Sequence, residues 1–345
     1  MSQRKMLLIF LMALCLFNTG YGESRKDVEA VVAEFPNYIF HLLTLGKIVP
    51  EDFEYLSFYE GSISEKDQIY LNEHRGLLGW GDGTVGPLTA FFMFIPGYID
   101  FQSQTEFDEY FDLLCRALRD RDFDIFIHKY DAYFSKMELM FGPRDIQADL
   151  QGLARYADVV FKLGDIYKRN FQAYHLNVWP KEKEKLEKTA NSLNHELQKY
   201  DFINHWEQLT RLKFKTDQYQ IVLISANKNG PNANSLGYDR NAFYYNLDPP
   251  MLLQFISHEV GTHLLIDDFR LVMQMNRFEY RDVYKAFENM AEFYNVKCIF
   301  KGKPLYGYDI EKYDRIYAAL FNSNRNLSPK ELMIKGLEIY TAQRK

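Results

Sequence analysis

Cysteine is scarce in this chain of 345 residues: there are three, and Cys15 falls inside an apolar N-terminal run, which leaves only Cys115 and Cys298, far apart in sequence. Two distant cysteines cannot make a disulfide framework, and they lack the close spacing of a thiolate zinc site. They either form one disulfide after export or stay as buried thiols. Basic charge is also short, with 41 Lys and Arg against 47 Asp and Glu and a formal net charge of -6. Binding nucleic acid or an anionic membrane surface is therefore excluded as the main business of the protein. Nothing beyond the N-terminal run approaches the ~20 uninterrupted apolar residues of a membrane span. Internal repeats and low-complexity tracts are absent too. The glycine-rich stretch Gly79-Trp80-Gly81-Asp82-Gly83-Thr84 has no following lysine and no strand-then-helix setting, so it reads as a loop and not as a phosphate-binding turn.

What the chain has in quantity is apolar and aromatic side chains, 47% and 16% of the residues, enough to bury a large core without staples. At the N-terminus, Arg4 and Lys5 precede an apolar run over residues 6–17 and then the small residues Gly20 and Gly22. That pattern reads as a secretory signal peptide over residues 1–22, with a signal anchor as the alternative, and it implies an exported mature chain, periplasmic or secreted, with no stable membrane span after cleavage. Leu14 stands where a small residue would precede a lipid-bearing cysteine, so Cys15 is not read as a lipid anchor.

The fold class expected is α+β and mostly helical. Residues 23–200 form a helical N-terminal region, in which Phe107, Tyr110, Phe111, Leu114 and Leu118, then Phe126, Tyr130, Tyr133, Phe134, Met137 and Phe141, recur at helical spacing and mark core faces. The charge-rich residues 181–188 follow Trp179-Pro180 and read as the solvated face of a helix that starts at the proline. Residues 201–345 form a second region. Residues 220–226 and 242–247 are strand-like around an Asn/Gly/Pro-rich loop at 227–241, so a small sheet precedes Asp248-Pro249-Pro250. Helical patterning returns over 251–267, 280–300, 310–321 and 329–343, with Ser328 as an N-cap.

Within the first of these helices stands His258-Glu259-Val260-Gly261-Thr262-His263. With 8 His and 47 acidic residues available, a histidine-acid pair followed by a second histidine at this spacing arises by chance in roughly 0.02 of such chains. Histidines five apart on a regular α-helix lie about 140° apart around the axis, against about 40° for four apart. At 140° two imidazoles cannot both reach one zinc ion at ~2.0–2.1 Å. A single π-bulge would absorb the extra residue, and Gly261 marks the expected place for it. Downstream, Glu288 and Glu292 lie four apart on one face of a helical segment, Phe287-Glu288-Asn289-Met290-Ala291-Glu292.

Together these segments resemble the gluzincin branch of the zincin metallopeptidases, and the form His-Glu-Val-Gly-Thr-His is similar to that of the tubulin tyrosine carboxypeptidase group. The resemblance covers residues 257–292. It implies a zincin-like metallopeptidase core over 201–345 holding one Zn²⁺ through His258, His263 and Glu288. It also implies Glu259 as general base, Glu292 as the carboxylate behind His258, and a peptide or protein as substrate. In zincins the edge strand of the small sheet binds extended peptide by main-chain hydrogen bonds, and Tyr244 and Tyr245 stand on the strand expected there. Asp267 or Asp268 is an alternative third ligand. No histidine follows His263, so an oxyanion must be met by a tyrosine or arginine, for which Tyr306 and Tyr308 are the candidates.

The function expected is a zinc-dependent hydrolase, a peptidase. The alternative is a non-catalytic envelope protein that keeps a zincin-like core for binding or scaffolding, although such a module has no need of Glu259. The N-terminal reading makes a first prediction: N-terminal sequencing of the exported protein should find a start near Glu23, and an intact apolar run would refute the signal peptide.

Overall fold

The computed structural model describes residues 26–344 apart from 82–83, 232 and 303–309. Its sheet is assembled from both halves of the chain. Strand β1 (Asp27–Val31) lies parallel to β2 (Gln218–Ile224), with Ala30 opposite Ile221. The next neighbour of β2 is the parallel strand β4 (Arg240–Tyr244), and β3 (Ala233–Gly237) closes the sheet as an antiparallel strand on β4, giving the order β1-β2-β4-β3.

Two of these strands differ from what the sequence predicts. β1 lies in the stretch expected to be helical, because five residues beginning with an acid carry little strand signal and their state is decided by pairing with β2, far away in sequence. β3 lies inside the Asn/Gly-rich stretch expected to be loop, and here pairing with β4 overrides local composition. One consequence is that the strand carrying Tyr244 is an inner one. The edge beside it is β3, and Tyr245 follows the end of β4. The opposite edge, β1, is blunted by a side chain: Asn194 accepts from the Ala30 backbone N–H at 2.7 Å and donates to its carbonyl at 2.9 Å, standing in for a neighbouring strand.

The principal helices between β1 and β2 are α1 (Glu34–Leu45), α2 (Gln104–Asp120), α3 (Asp124–Phe141), α4 (Ala157–Asn177), α5 (Trp179–Leu197) and α6 (Phe202–Thr210). Their aromatic stripes are core, as their spacing requires: Phe107, Tyr110, Phe111, Phe126 and Tyr130 are all buried and pack ring against ring. Helix α5 does start at Trp179-Pro180, with Lys181, Lys183, Lys185 and Lys188 exposed. Glu182 departs from that solvated face. It is buried, and it accepts hydrogen bonds from the Tyr59 hydroxyl at 2.5 Å and Lys185 at 2.8 Å. The expected loop at residues 79–84 contains a short antiparallel pairing of Trp80–Gly81 with Thr84–Val85. Cys115, on α2, is a free thiol whose pKa burial pushes up to about 11.

The second region continues as α7 (Pro249–Gln274), α8 (Tyr280–Tyr294), α9 (Ile310–Ser323) and α10 (Pro329–Ala342), the last capped by Ser328 and Glu331 in a reciprocal capping box. Among the described residues no helix is long and apolar enough to cross a membrane. Helix α7 is α-helical from end to end, so the π-bulge expected between His258 and His263 is not there. Gly261 has a different use. A Cβ on it would lie 2.2 Å from the Trp206 ring of α6, and the Trp206 indole also donates to Ser257 Oγ at 3.2 Å, one turn earlier on the same face. The glycine permits close helix packing, and an α-helical backbone satisfies that need. π-turns occur elsewhere, at Ala90–Phe94 and at Asn295–Ile299 directly after α8.

That packing yields a prediction. Gly261→Ala should lower stability by about 1–3 kcal/mol through overpacking on Trp206, and Trp206→Phe should recover part of the loss. Urea unfolding of the three proteins checks it.

Candidate active site

The uniform helix sends the motif residues in different directions. Ser257 and Gly261 face α6. His258 faces α8, where its partners Glu288 and Glu292 lie. Glu259 and His263, four apart and thus about 40° apart around the axis, both face the sheet, where their partners Asn241 and Ser235 lie.

On the α8 side, His258 sits between two carboxylates. Its Nδ1 is 3.1 Å from Glu292 Oε2 and its Nε2 is 3.1 Å from Glu288 Oε2. All three are buried. The carboxylates come from consecutive turns of α8, whose residues from Ala286 onward are all buried, and Tyr317 of α9 holds this helix by donating to the Ala286 carbonyl at 2.8 Å. Asn295, at the start of the π-turn, donates to the Gln254 carbonyl at 3.0 Å and reaches Glu292 Oε2 at 3.5 Å. Burial alone would lower the His258 pKa; the hydrogen bonds to Glu288 and Glu292 reverse that and raise it to about 10. Without another cation, the imidazole carries a proton to answer the two buried charges.

On the sheet side, Asn241 of β4 is the hub. Its Nδ2 reaches Glu259 Oε2 at 3.2 Å, the Tyr219 hydroxyl at 3.3 Å and Ser235 Oγ at 3.5 Å, while its Oδ1 accepts from the Asn234 N–H at 2.7 Å. Thr262 Oγ1 also approaches the Glu259 carboxylate, at 3.4 Å. Burial raises the Glu259 pKa, the nearby His258 lowers it and Glu288 raises it again, to about 7. His263 Nδ1 lies 2.7 Å from the Tyr238 carbonyl, so this nitrogen carries the proton, and Nε2 accepts from Ser235 Oγ at 2.9 Å. Burial lowers the His263 pKa to about 4, only partly offset by the Tyr238 carbonyl.

The structure thus brings His258, Glu288 and Glu292 into direct contact and sets Glu259 beside them, but it does not bring His263 to Glu288. Histidine nitrogen and carboxylate oxygen are donor types that zinc takes, while the 3.1 Å between His258 Nε2 and Glu288 Oε2 is the length of an ordinary hydrogen bond. Glu292 behind Nδ1 and the Tyr238 carbonyl behind the other imidazole are the partners that orient metal-binding histidines. Convergence is incomplete, because His263 Nε2 is turned to Ser235; among the described residues no three or more His, Cys, Asp or Glu are gathered as ligands of one ion. Asp267 is exposed, pairing with Lys215 and Arg270 at 2.7 Å each. It and Asp268 lie within α7, which runs on past them to Gln274. Tyr306 and Tyr308 lie outside the described residues. Sequence reasoning misses Asn241 and Ser235, which give no signal in a stretch expected to be loop.

No family model matches the chain, and neither a curated protein nor a solved structure matches it. The site is therefore read from its own geometry. In metal-free protein, the imidazole ¹⁵N shifts should show His263 neutral with Nδ1 protonated from pH 8 down to about pH 5, and His258 still protonated on both nitrogens at pH 8. A His263 titrating near pH 6.5, or a neutral His258 at pH 8, would contradict this arrangement.

Proposed function

We propose that the chain is a zinc-dependent hydrolase of the zincin kind, a peptidase, exported after removal of residues 1–22. The observation that carries the reading is the contact of His258 with Glu288 on one nitrogen and Glu292 on the other, the pair that the resemblance to gluzincins implies. His258, His263 and Glu288 would hold the ion; for that α7, regular in this structure, would have to open into a wider turn between the two histidines, and His263 would have to give up the Ser235 hydroxyl. When bound, zinc polarises a scissile carbonyl and lowers the pKa of a bound water.

The chain's own residues supply the rest. Glu259, with its pKa raised to about 7, can take a proton and return it near neutral pH, as a general base that later acts as general acid must. Asn241 and Thr262 both donate to Oε2 of this carboxylate and hold it in place. Glu292 keeps the His258 ring oriented. β3 pairs with β4 on one side, and its other edge suits an extended peptide adding by main-chain hydrogen bonds. A second reading, a zincin-like binding or scaffold protein without catalysis, is favoured by the His263–Ser235 contact, which leaves the ligand set open.

The two readings separate on one substitution. Glu259→Gln keeps size and hydrogen bonding and removes basicity. Zinc content should be unchanged while cleavage of a peptide library drops by ~10²–10⁴-fold, the usual loss with a general base. Equal processing by both proteins, each with zinc bound, would abolish the peptidase assignment in favour of the binding protein.

A further inference from the structure

Side chains alternate across a strand, so Arg240, next to Asn241 on β4, faces away from α7. There it lines a polar pocket of about 240 Å³ together with Tyr98, Lys136, Gln220, Asp100 and Asp239. The wall is built closely: Gly237 lies opposite Arg240 at the β3 bulge, and a Cβ there would meet the Tyr98 ring at 2.4 Å, so only glycine lets the tyrosine lie on the strand. The Tyr98 hydroxyl in turn donates to Asp239 at 2.6 Å.

Arg240 is only 6% exposed, yet its guanidinium is poorly satisfied. Nη1 donates to the Tyr98 carbonyl at 3.0 Å, Nη2 is 3.7 Å from Asp100, beyond hydrogen-bond distance, and Nε is buried with no partner among the described residues. Asp100 is 73% exposed, so water screens what attraction remains. A buried, unpaired cationic donor is unfavourable unless something answers it. Burial here makes the guanidinium a weaker base than usual, an effect that nearby Asp100 and Asp239 offset only in part. Nε and Nη2 form one edge of the fork, the edge that grips a carboxylate side-on. Lys136, exposed on α3, adds a second cation at the same pocket.

The opposite sign is represented as well, by Asp239 and Asp100. Two carboxylates in so small a space would repel a phosphate dianion, but they suit an ammonium group beside a single carboxylate. The volume lies below that of pockets for drug-sized ligands.

We propose that this pocket binds a small zwitterion of the free amino-acid class, its carboxylate on the Nε/Nη2 edge of Arg240 near Lys136 and its ammonium toward Asp239 and Asp100. The site lies on the face of the sheet opposite Glu259 and does not depend on the proposed hydrolase function.

Isothermal titration of the full mature chain with a set of free L-amino acids tests it, with acetate and inorganic phosphate as controls. At least one amino acid should bind saturably and more tightly than acetate or phosphate. Arg240→Gln should weaken that binding by at least about tenfold, as loss of a charged hydrogen-bond pair does, and Arg240→Lys should not restore it, because an ammonium lacks the fork. Lys136→Gln, an exposed change that leaves the fold intact, should also weaken it and carries the test should the Arg240 variants fail to fold. The proposal is overturned by absence of amino-acid binding to wild type up to about 10 mM, by phosphate binding as tightly as any amino acid, or by a folded Lys136→Gln protein that binds like wild type.

Discussion

Two carboxylates buried on one helix face and sharing a single imidazole are the constraint on which the rest of this structure depends. Glu288 and Glu292 cannot be held away from water as bare charges; the imidazole of His258 answers both at 3.1 Å. Removing one partner of such a cluster would strand the others, an effect usually of about 3–5 kcal/mol. α7 and α8 must therefore keep one register, and α9 and α10 pack behind α8 to keep it there. Glu259 stands beside this cluster with a carboxyl whose pKa is raised to about 7.

The sheet enters the same arrangement through the other face of α7. Asn241 joins Glu259 to Ser235 and Tyr219, and the turn carbonyl of Tyr238 fixes the tautomer of His263. β4 thus carries one polar residue on each face, and the two serve different ends. Asn241 points toward the proton-handling carboxylate, and Arg240 toward the small pocket on the far side. Two polar sites back to back on a five-residue strand explain why Arg240–Tyr244 is buried throughout although its first two residues are polar.

Much of this is legible in the sequence where one residue type at one spacing has one physical meaning. The apolar stripes at three- and four-residue spacing locate the helices, Ser328 and Pro180 mark helix starts, and the four-residue interval between Glu288 and Glu292 sets both on one face toward His258. Legibility ends where meaning depends on a distant neighbour. β1 and β3 are strands only because β2 and β4 lie beside them. Gly261 could serve a backbone distortion or close packing, and only the position of Trp206 decides for packing. Asn241 carries no motif at all, yet it joins Glu259, Tyr219 and Ser235 in one network. The histidine spacing does pose a problem for a regular helix, and the outcome is the opposite of a bulge: α7 stays regular, and His263 goes to Ser235 and away from Glu288.

Everything proposed for catalysis passes through the claim that His258, His263 and Glu288 can close on one ion, with α7 widening between the histidines and His263 releasing Ser235. Stoichiometric metal analysis of the purified mature protein, beside His263→Ala and Ser235→Ala variants, measures this directly. One zinc per chain is expected in wild type, with its loss in His263→Ala and its retention or tightening in Ser235→Ala, where no hydroxyl competes for Nε2. A wild-type protein that takes up no zinc, or a His263→Ala protein that keeps it, would contradict the claim.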